Sequence, residues 1–595
     1  MGGIGHVAYR RVWAGAVAGG VLASAGLPLP AWGQAAPPPP ILQDLPKNGG
    51  IPSRDDLRSI TQAPPTQTPQ LSISGGIERS PCPLADDRFQ DIKVTIGAVD
   101  FNGLKGAEPS EMEPAWKPFA GVPQPIAVLC EVRDAAATIL RNKGYLAAVQ
   151  VPTQRIEDGK VRMEVLYARV TAIRARGETR GAERKLEAYL NKLTEDEIFD
   201  RNKAERYLLL ARDLPGYNVQ LTLRPAGTGV GELIGEVSVT HQPYTVDLTL
   251  QNLAPHTTGP YGGQIRAQVF GLTGLGDVTT LSYYATSDFS QQHILQGSHE
   301  FRPGSEGLVI GAQVTHAWTK PDLGAAAGPV ALKARTLYAG IYARYPVLRT
   351  QAKNLYLTGG IDFLNQKVDL AGVGALTRDR LRIAYARLDF DTIDLKHRSP
   401  RYRFGGSLEV RQGLNILDAT PACVGACPIQ TSRPGGSASE TVVRAQATLE
   451  YAAGQIAIAV LPRAQYAFNP LLSFEQFSLG NYTVGRGFDP GTLSGDSGVG
   501  TSVEVRGPRY PLFGGGRAVT QPFVFGDVGW TFLRGTPGSQ RLTSAGAGLR
   551  TEIGSRYRLD GVVAVPIERA GLQTKRGDVR LLVTLTARLL PWRTK

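Results

Sequence analysis

From Tyr244 to the C-terminus the chain alternates apolar and polar residues with a period of two. Val246, Leu248 and Leu250 share one face of a segment whose other face carries Thr245, Asp247, Thr249 and Gln251. Leu337, Ala339, Ile341, Ala343 and Tyr345 alternate with Tyr338, Gly340, Tyr342 and Arg344. The last segment alternates Leu581, Val583, Leu585, Ala587 and Leu589 with Arg580, Thr584, Thr586 and Arg588. An apolar exterior around a polar, partly charged interior is the pattern of a transmembrane antiparallel β-barrel and not of a soluble sandwich. About sixteen such segments start near 244, 262, 276, 291, 306, 334, 353, 380, 402, 439, 456, 498, 520, 541, 557 and 578. The longer connections, about 318–333, 366–379, 415–438, 479–497 and 568–577, all follow odd-numbered strands. Most of the others are short turns, with 509–519 the main exception. An even strand number and long loops at one end are both expected of a single-chain outer-membrane barrel.

Before the barrel, residues 92–240 change period twice and read as two α+β units in tandem. In the first, an extended stretch (92–103) precedes Val132, Ala135, Ala136, Ile139 and Leu140, which recur at helical spacing and end at Gly144 as a C-cap. Two strands then flank the turn Glu157-Asp158-Gly159. The second unit places a helix from about Ala182 to Leu193 and another after Asp200 as N-cap, stopping before Leu214-Pro215-Gly216. The domain reading is therefore 1–35 signal peptide, 36–83 Pro-rich linker, 84–168 first unit, 169–240 second unit and 241–595 barrel. The signal rests on Arg10 and Arg11, the apolar run Val12 to Leu29 and the small-residue stretch Ala31 to Ala35. The linker contains four consecutive prolines, Pro37 to Pro40, and cannot bury a core. Within it, Ser53 followed by Asp55 and Asp56 carries the start signal of a short helix, although a disordered tether fits the same stretch.

With 65 basic and 52 acidic residues the chain carries a net charge of +13. Arginines facing a lumen account for that excess without nucleic acid. In an exported chain the four cysteines, Cys82, Cys130, Cys423 and Cys427, favour disulfides over metal. Three connectivities are open, and the short spacing of Cys423 and Cys427 favours a local bridge. The seven histidines are scattered; His293 and His299 are neighbours at strand spacing and read as ordinary strand residues. No cofactor or metal is implied.

One loop stands out: FSLGNYTVGRGFDPGTLSGDSG, followed some forty residues later by FGDVG. An arginine between glycines on a long loop and an acidic residue on a downstream strand suggest a loop folded into the lumen and held by an ion pair. With these motifs the chain, over about residues 80–595, resembles two-partner secretion transporters of the ShlB/FhaC/HecB type, within the superfamily that includes the barrel assembly factor BamA. The resemblance implies two POTRA domains before a sixteen-stranded barrel, an outer-membrane location and a sixth external loop with an inward-folded tip. Matching that tip are Gly485, Arg486, Gly487 and Phe488, with Asp496 after it; glycine stands at 485 where the family usually has valine. The partner strand motif matches Phe525, Asp527 and Gly529, so the resemblance pairs Arg486 with Asp527. Val149, Val151 and Gln154 in the first unit, and Leu214, Pro215 and Gly216 in the second, match POTRA segments implied to receive an unfolded client by strand addition. The linker helix is implied to plug the resting pore.

Other readings carry less. Gly495-Asp496-Ser497-Gly498 resembles a serine-protease nucleophile segment, but no histidine lies in a partner motif. Gly271-Leu-Thr-Gly274-Leu-Gly276 sits at a strand turn with no helix after it, which argues against a nucleotide site. The expectation is a non-enzymatic, monomeric pore in the lipid bilayer that exports one large adhesin- or haemolysin-like exoprotein without ATP. A barrel assembly factor is the alternative, and a passive porin a weaker one.

Overall fold

In the computed structural model the alternating segments close on themselves. Residues 51–61, 81–227, 231–322, 331–397, 399–423, 427–512, 517–571 and 576–591 are described; the expected signal peptide and most of the linker lie outside them. The barrel strands are Tyr244–Gln251, Gly262–Phe270, Val278–Thr286, Gln292–Phe301, Val309–Thr319, Leu332–Arg349, Lys353–Leu370, Gly374–Ile393, Tyr402–Gly413, Thr441–Ala453, Ile456–Ala467, Ser497–Arg506, Ala518–Phe532, Gln540–Ile553, Tyr557–Pro566 and Arg580–Leu590. Each pairs antiparallel with the next, and the sixteenth returns to the first. A short piece, Tyr510–Leu512, prolongs the twelfth strand along the thirteenth. The closing seam runs from Thr584 opposite Gln251 to Leu590 opposite Val246. Asn252 lengthens it by donating to the Leu581 carbonyl at 2.7 Å and accepting from the Val583 amide at 2.6 Å.

The outward faces carry Leu250, Leu281, Val314, Ile341, Leu357, Leu408, Val524, Leu549 and Leu581, all exposed. Inward positions such as Arg266, Asp362, Arg411, Glu504 and Asp527 are buried. This is the inversion a bilayer imposes, because the apolar side chains have lipid instead of a core to face. Among the described residues no helix is long and apolar enough to cross a membrane.

One connection differs from expectation. The seventh and eighth strands run to Leu370 and from Gly374, so 366–379 is mostly strand and the loop shrinks to a tight turn. With 18 residues in Lys353–Leu370, at ~3.3 Å per residue, this hairpin reaches well past a ~30 Å hydrocarbon layer. Its far end stands in water, so polar residues occupy both faces and the apolar alternation fades.

The first α+β domain orders its sheet as Ala98–Asn102, Lys160–Tyr167, Ala147–Gln150. Helix Val128–Asn142 lies across it and buries Val132, Ala136 and Leu140 against Met163 and Val161. A disulfide joins Cys82 to Cys130 on this helix, and a second joins Cys423 to Cys427. The second domain packs helices Glu183–Asn191 and Arg201–Arg212 on strands Arg169–Gly177, Glu232–His241 and Tyr217–Pro225. Asp200 caps the second helix through the Asn202 and Lys203 amides.

The second domain is seated on the barrel's near end. Arg349, closing the sixth strand, forks onto Asp213 with two 2.7 Å bonds. Glu205 accepts from the Gln351 amide at 2.6 Å, and Tyr207 donates to Glu306 at 3.0 Å. Bidentate guanidinium–carboxylate pairing fixes orientation as well as distance.

Candidate functional site in the barrel lumen

Among the described residues two segments enter the lumen. The first is helix Arg54–Thr61. Ser53 starts it: its hydroxyl donates to Asp56 at 2.7 Å and accepts from the Asp56 amide at 3.3 Å, a reciprocal cap. Leu57 and Ile60 pack with Tyr284, Leu364, Ile383 and Phe474; burying two such side chains stabilises the helix by about 3–6 kcal/mol in all. Arg54 reaches Glu409 at 2.8 Å, Asp55 pairs with Arg463, and the Ile60 carbonyl accepts from Gln264 at 3.0 Å. The stretch that also read as a disordered tether is thus a helix held from three sides of the wall.

The second is the connection after the eleventh strand, which enters the lumen as a two-stranded stem, Phe477–Leu479 with Leu493–Gly495. Arg486 lies at its tip. It donates to Asp527 at 3.1 Å, to Glu504 at 2.9 Å and to the Ser502 hydroxyl. Its backbone amide bonds the other Asp527 oxygen at 2.8 Å, and Ser544 donates to that oxygen at 3.1 Å. The guanidinium carbon stands 3.7 Å from the centre of the Phe525 ring, a cation–π platform. Register explains the convergence: Ser502 lies opposite Asp527, Glu504 opposite Phe525, and Asp527 opposite Ser544.

Two glycines make room for the loop. Gly485 has φ +117°, and a Cβ there would stand 2.6 Å from Leu542; valine at this position would be strained and would clash. A Cβ on Gly529 would approach Leu479 of the stem to 2.7 Å, so this wall position must be bare for the loop to lie flat. Phe488 is fully buried with Phe477, Leu479, Val484, Leu493 and Leu542.

Asp496, expected with the arginine tip, stands apart from it. Fully buried, it accepts from the Leu471 amide at 2.9 Å and the Arg534 amide at 2.7 Å, and pairs with Arg433. Its sequence position at the stem's end, one residue before the twelfth strand, puts it at the loop's root. Glu504, Ser502 and Ser544 were not singled out in the sequence, where each looks like one more inward polar residue. Their signal was available in the strand register, since inward positions beside Asp527 must face the same loop.

Of the expected client-binding residues, the structure separates two groups. Val149 and Val151 lie along the edge of the first domain's sheet, beside a cavity of about 750 Å³ between that edge and helix Val128–Asn142. Gln154 also borders it, but its side-chain amide pairs with both backbone groups of Arg162, at 2.8 and 2.7 Å. It imitates the next strand residue where Ala147–Gln150 ends. In the second domain Leu214 is buried in the core, and Gly216 abuts Phe270 of the barrel. Leu214-Pro215-Gly216 therefore forms the junction with the barrel, next to the Asp213–Arg349 fork.

Residues 236–551 match the family described as haemolysin secretion/activation protein ShlB/FhaC/HecB. The chain belongs to this family. Residues 94–167 match the ShlB-type POTRA domain. Among solved structures, CdiB from Escherichia coli is 18% identical with a TM-score of 0.70, over 90% of this chain and 95% of that one. CdiB from Acinetobacter baumannii is 18% identical with a TM-score of 0.63, over 92% and 98%. At that identity the likeness shows the shared fold. No curated protein matches the chain. The ShlB/FhaC/HecB family comprises outer-membrane transporters that move a partner protein from the periplasm, with POTRA domains on the periplasmic side. The near end of this family member is therefore periplasmic, and its long odd-numbered connections face outward.

Proposed function

We propose that this transporter is a dedicated exporter of one large adhesin- or haemolysin-like exoprotein, closed at rest by its helix and its sixth external loop. The observation that carries the reading is the doubly occupied lumen: helix Arg54–Thr61 tied to Glu409, and a loop tip pinned by Arg486 to Asp527 and Glu504. A passive porin gains nothing from two inward segments held by buried ion pairs. The groove beside Val149 and Val151 suits an extended client segment, whose backbone would pair with the edge strand while side chains enter the apolar cavity. Gln154 then marks the end of that edge. The junction at Leu214 and Gly216 transmits the domain's position to the barrel. Export needs no nucleotide in this scheme; folding of the client outside draws it through.

The test compares proteins released into the medium by cells with the intact chain, cells lacking it and cells carrying Arg486→Ala. Loss of one large exoprotein in both mutants, with other outer-membrane proteins unchanged, is the expected result. Broad loss of barrel proteins would move the assignment to an assembly factor, and no change in either would remove the export reading.

A further inference from the structure

We infer that the sixth external loop is built as a fixed stem with a moving tip, and that Glu475 and Asp496 are the positioning residues that hold the stem while residues 480–492 swing. The inference rests on the reading of Arg486 as a lock and adds which part of the loop moves.

The loop leaves the wall through Glu475 and rejoins it through Asp496, and both carboxylates are almost completely buried. Arg411 on the ninth strand donates to Glu475 at 3.0 and 3.2 Å, and Arg444 on the tenth at 3.0 Å. Arg411 is itself fully buried and also holds Asp362 at 2.8 Å. Asp496 gathers Arg433 from the fifth external loop and the Arg534 amide from the seventh. One side chain spans both roots: the Gln465 amide donates to the Glu475 and Asp496 carbonyls, each at 2.9 Å, and its oxygen accepts from Arg444 at 2.7 Å. Between the roots the stem is a paired ribbon, with Ser478 opposite Ser494.

The two halves of the loop differ in what departure leaves behind. If the roots moved, Arg444 and Arg433 would lose their carboxylates and Arg411 one of its three, in places water scarcely reaches, and buried charges stripped of partners are strongly unfavourable. If only the tip moves, Arg486 carries its charge into water. Glu504 keeps Arg550 and Arg506, each at 2.9 Å, and Asp527 keeps Ser544. Gly480 and Gly491, both at positive φ, bound the tip and supply the backbone freedom for a hinge. Loss of the tip thus leaves one buried carboxylate, Asp527, without its cation and parts Arg580 from Asp489, whereas loss of the stem takes a carboxylate from three cations and breaks the Gln465 bonds to both roots.

Spin-label distances test this in the full chain in proteoliposomes. Among the described residues the native cysteines are all in disulfides, so labels go to introduced thiols: Ser555→Cys in a periplasmic turn, paired with Thr483→Cys in the tip or Ser473→Cys at the root. With Arg486→Gln, the tip distance should broaden or split while the root distance stays single. Asp527→Asn provides a second route to unlocking should Arg486→Gln not assemble. With Arg486 intact, Glu475→Ala should broaden the root distance and Glu475→Asp should restore a single one. Broadening of root and tip together on unlocking would overturn the fixed stem and leave the lock intact. A root unmoved by Glu475→Ala would overturn the positioning role. If neither distance changes in both unlocked variants, the lock reading fails and this inference with it.

Discussion

Replacing Arg486 by glutamine removes the guanidinium that reaches Asp527 while keeping most of the side chain's length. At about 3 Å and an effective dielectric of ~20, each of its two carboxylate contacts has a gross attraction of about 5 kcal/mol, much of it offset by desolvation. Breaking a buried pair from one side typically costs about 3–5 kcal/mol. The lower end applies here, because Glu504 retains Arg550 and Arg506 and the fully buried Asp527 alone is stripped of this partner. A loss of about 3 kcal/mol in the tip's closing free energy raises its open population about 100-fold. Amide exchange reads that quantity directly, since protection of a segment reports its local opening free energy. In nanodiscs, peptides covering 480–492 should exchange about 100-fold faster in Arg486→Gln than in the native chain, with barrel strands unchanged. Asp527→Asn should give a similar rise, and the double variant no more than the larger single. Exchange within about threefold of native would refute the lock, and so would simple addition of the two effects.

Four further outcomes follow from the same geometry. Cys82→Ser with Cys130→Ser opens a 48-residue loop and should cost the first POTRA domain about 4 kcal/mol, whereas opening the four-residue Cys423–Cys427 bridge should cost about half that; pulse proteolysis of the full chain compares them. Gly529→Ala should press on Leu479 and cost about 1–3 kcal/mol, seen as faster exchange at 477–479, while Gly526→Ala, with nothing within 4 Å of its Cβ, should not. The hydrogen bond to Asp489 raises the His256 pKa above its usual value, so their attraction is full below about pH 6.5 and fades as pH rises through the raised value; maleimide labelling of Pro490→Cys should accelerate from about pH 6 to about pH 8.5 in the native background and lose that acceleration beyond the reagent's own pH dependence in His256→Gln, with Arg580 still holding Asp489 at 2.7 Å. Arg54→Ala with Asp55→Ala should release the helix from Glu409 and Arg463 and raise the KCl conductance of the chain in planar bilayers; an unchanged conductance would mean these pairs do not keep the helix seated.

Much of the barrel was legible because lipid enforces the alternation. A polar side chain in the outward row Leu337, Ala339, Ile341 and Ala343 would face hydrocarbon, so the period persists wherever strand meets membrane. Where the wall leaves the membrane the constraint lapses, and there the reading failed. Lys367, Asp369 and Arg378 around Gly372 and Gly374 have loop composition, yet they continue a hairpin that stands in water. The contact of Arg486 with Asp527 was legible in an arginine between glycines and an acidic residue on a downstream strand, and the bare Gly529 through the resemblance. It was not legible where a role depends on register. Ser502 and Glu504 gain theirs from lying opposite Asp527 and Phe525, and Asp496 was grouped with Arg486 by closeness in sequence although the stem separates them. Gly216 shares that difficulty: its neighbour Phe270 ends the second barrel strand, and no pattern local to Leu214-Pro215-Gly216 announces the contact.

The lumen's charges suggest why two separate inward segments coexist. Around Arg411 the wall and the loop root bring Arg387, Arg411 and Arg444 against Asp362, Asp389, Glu409 and Glu475, so three cations face four anions. Arg54 of the helix adds a further cation to that group. Withdrawing the helix therefore leaves Glu409 still paired with Arg411 and Arg387, and that buried carboxylate is not stranded. Asp55 leaves Arg463, but that guanidinium keeps the Phe477 ring, 4.8 Å from its centre. The helix brings the fourth cation to a carboxylate, Glu409, that keeps two others, whereas Glu475 is the carboxylate with which Arg444 pairs. In the proposed export cycle the departing segment is thus held at a carboxylate that keeps other cations, and the staying segment through a carboxylate that its neighbours require.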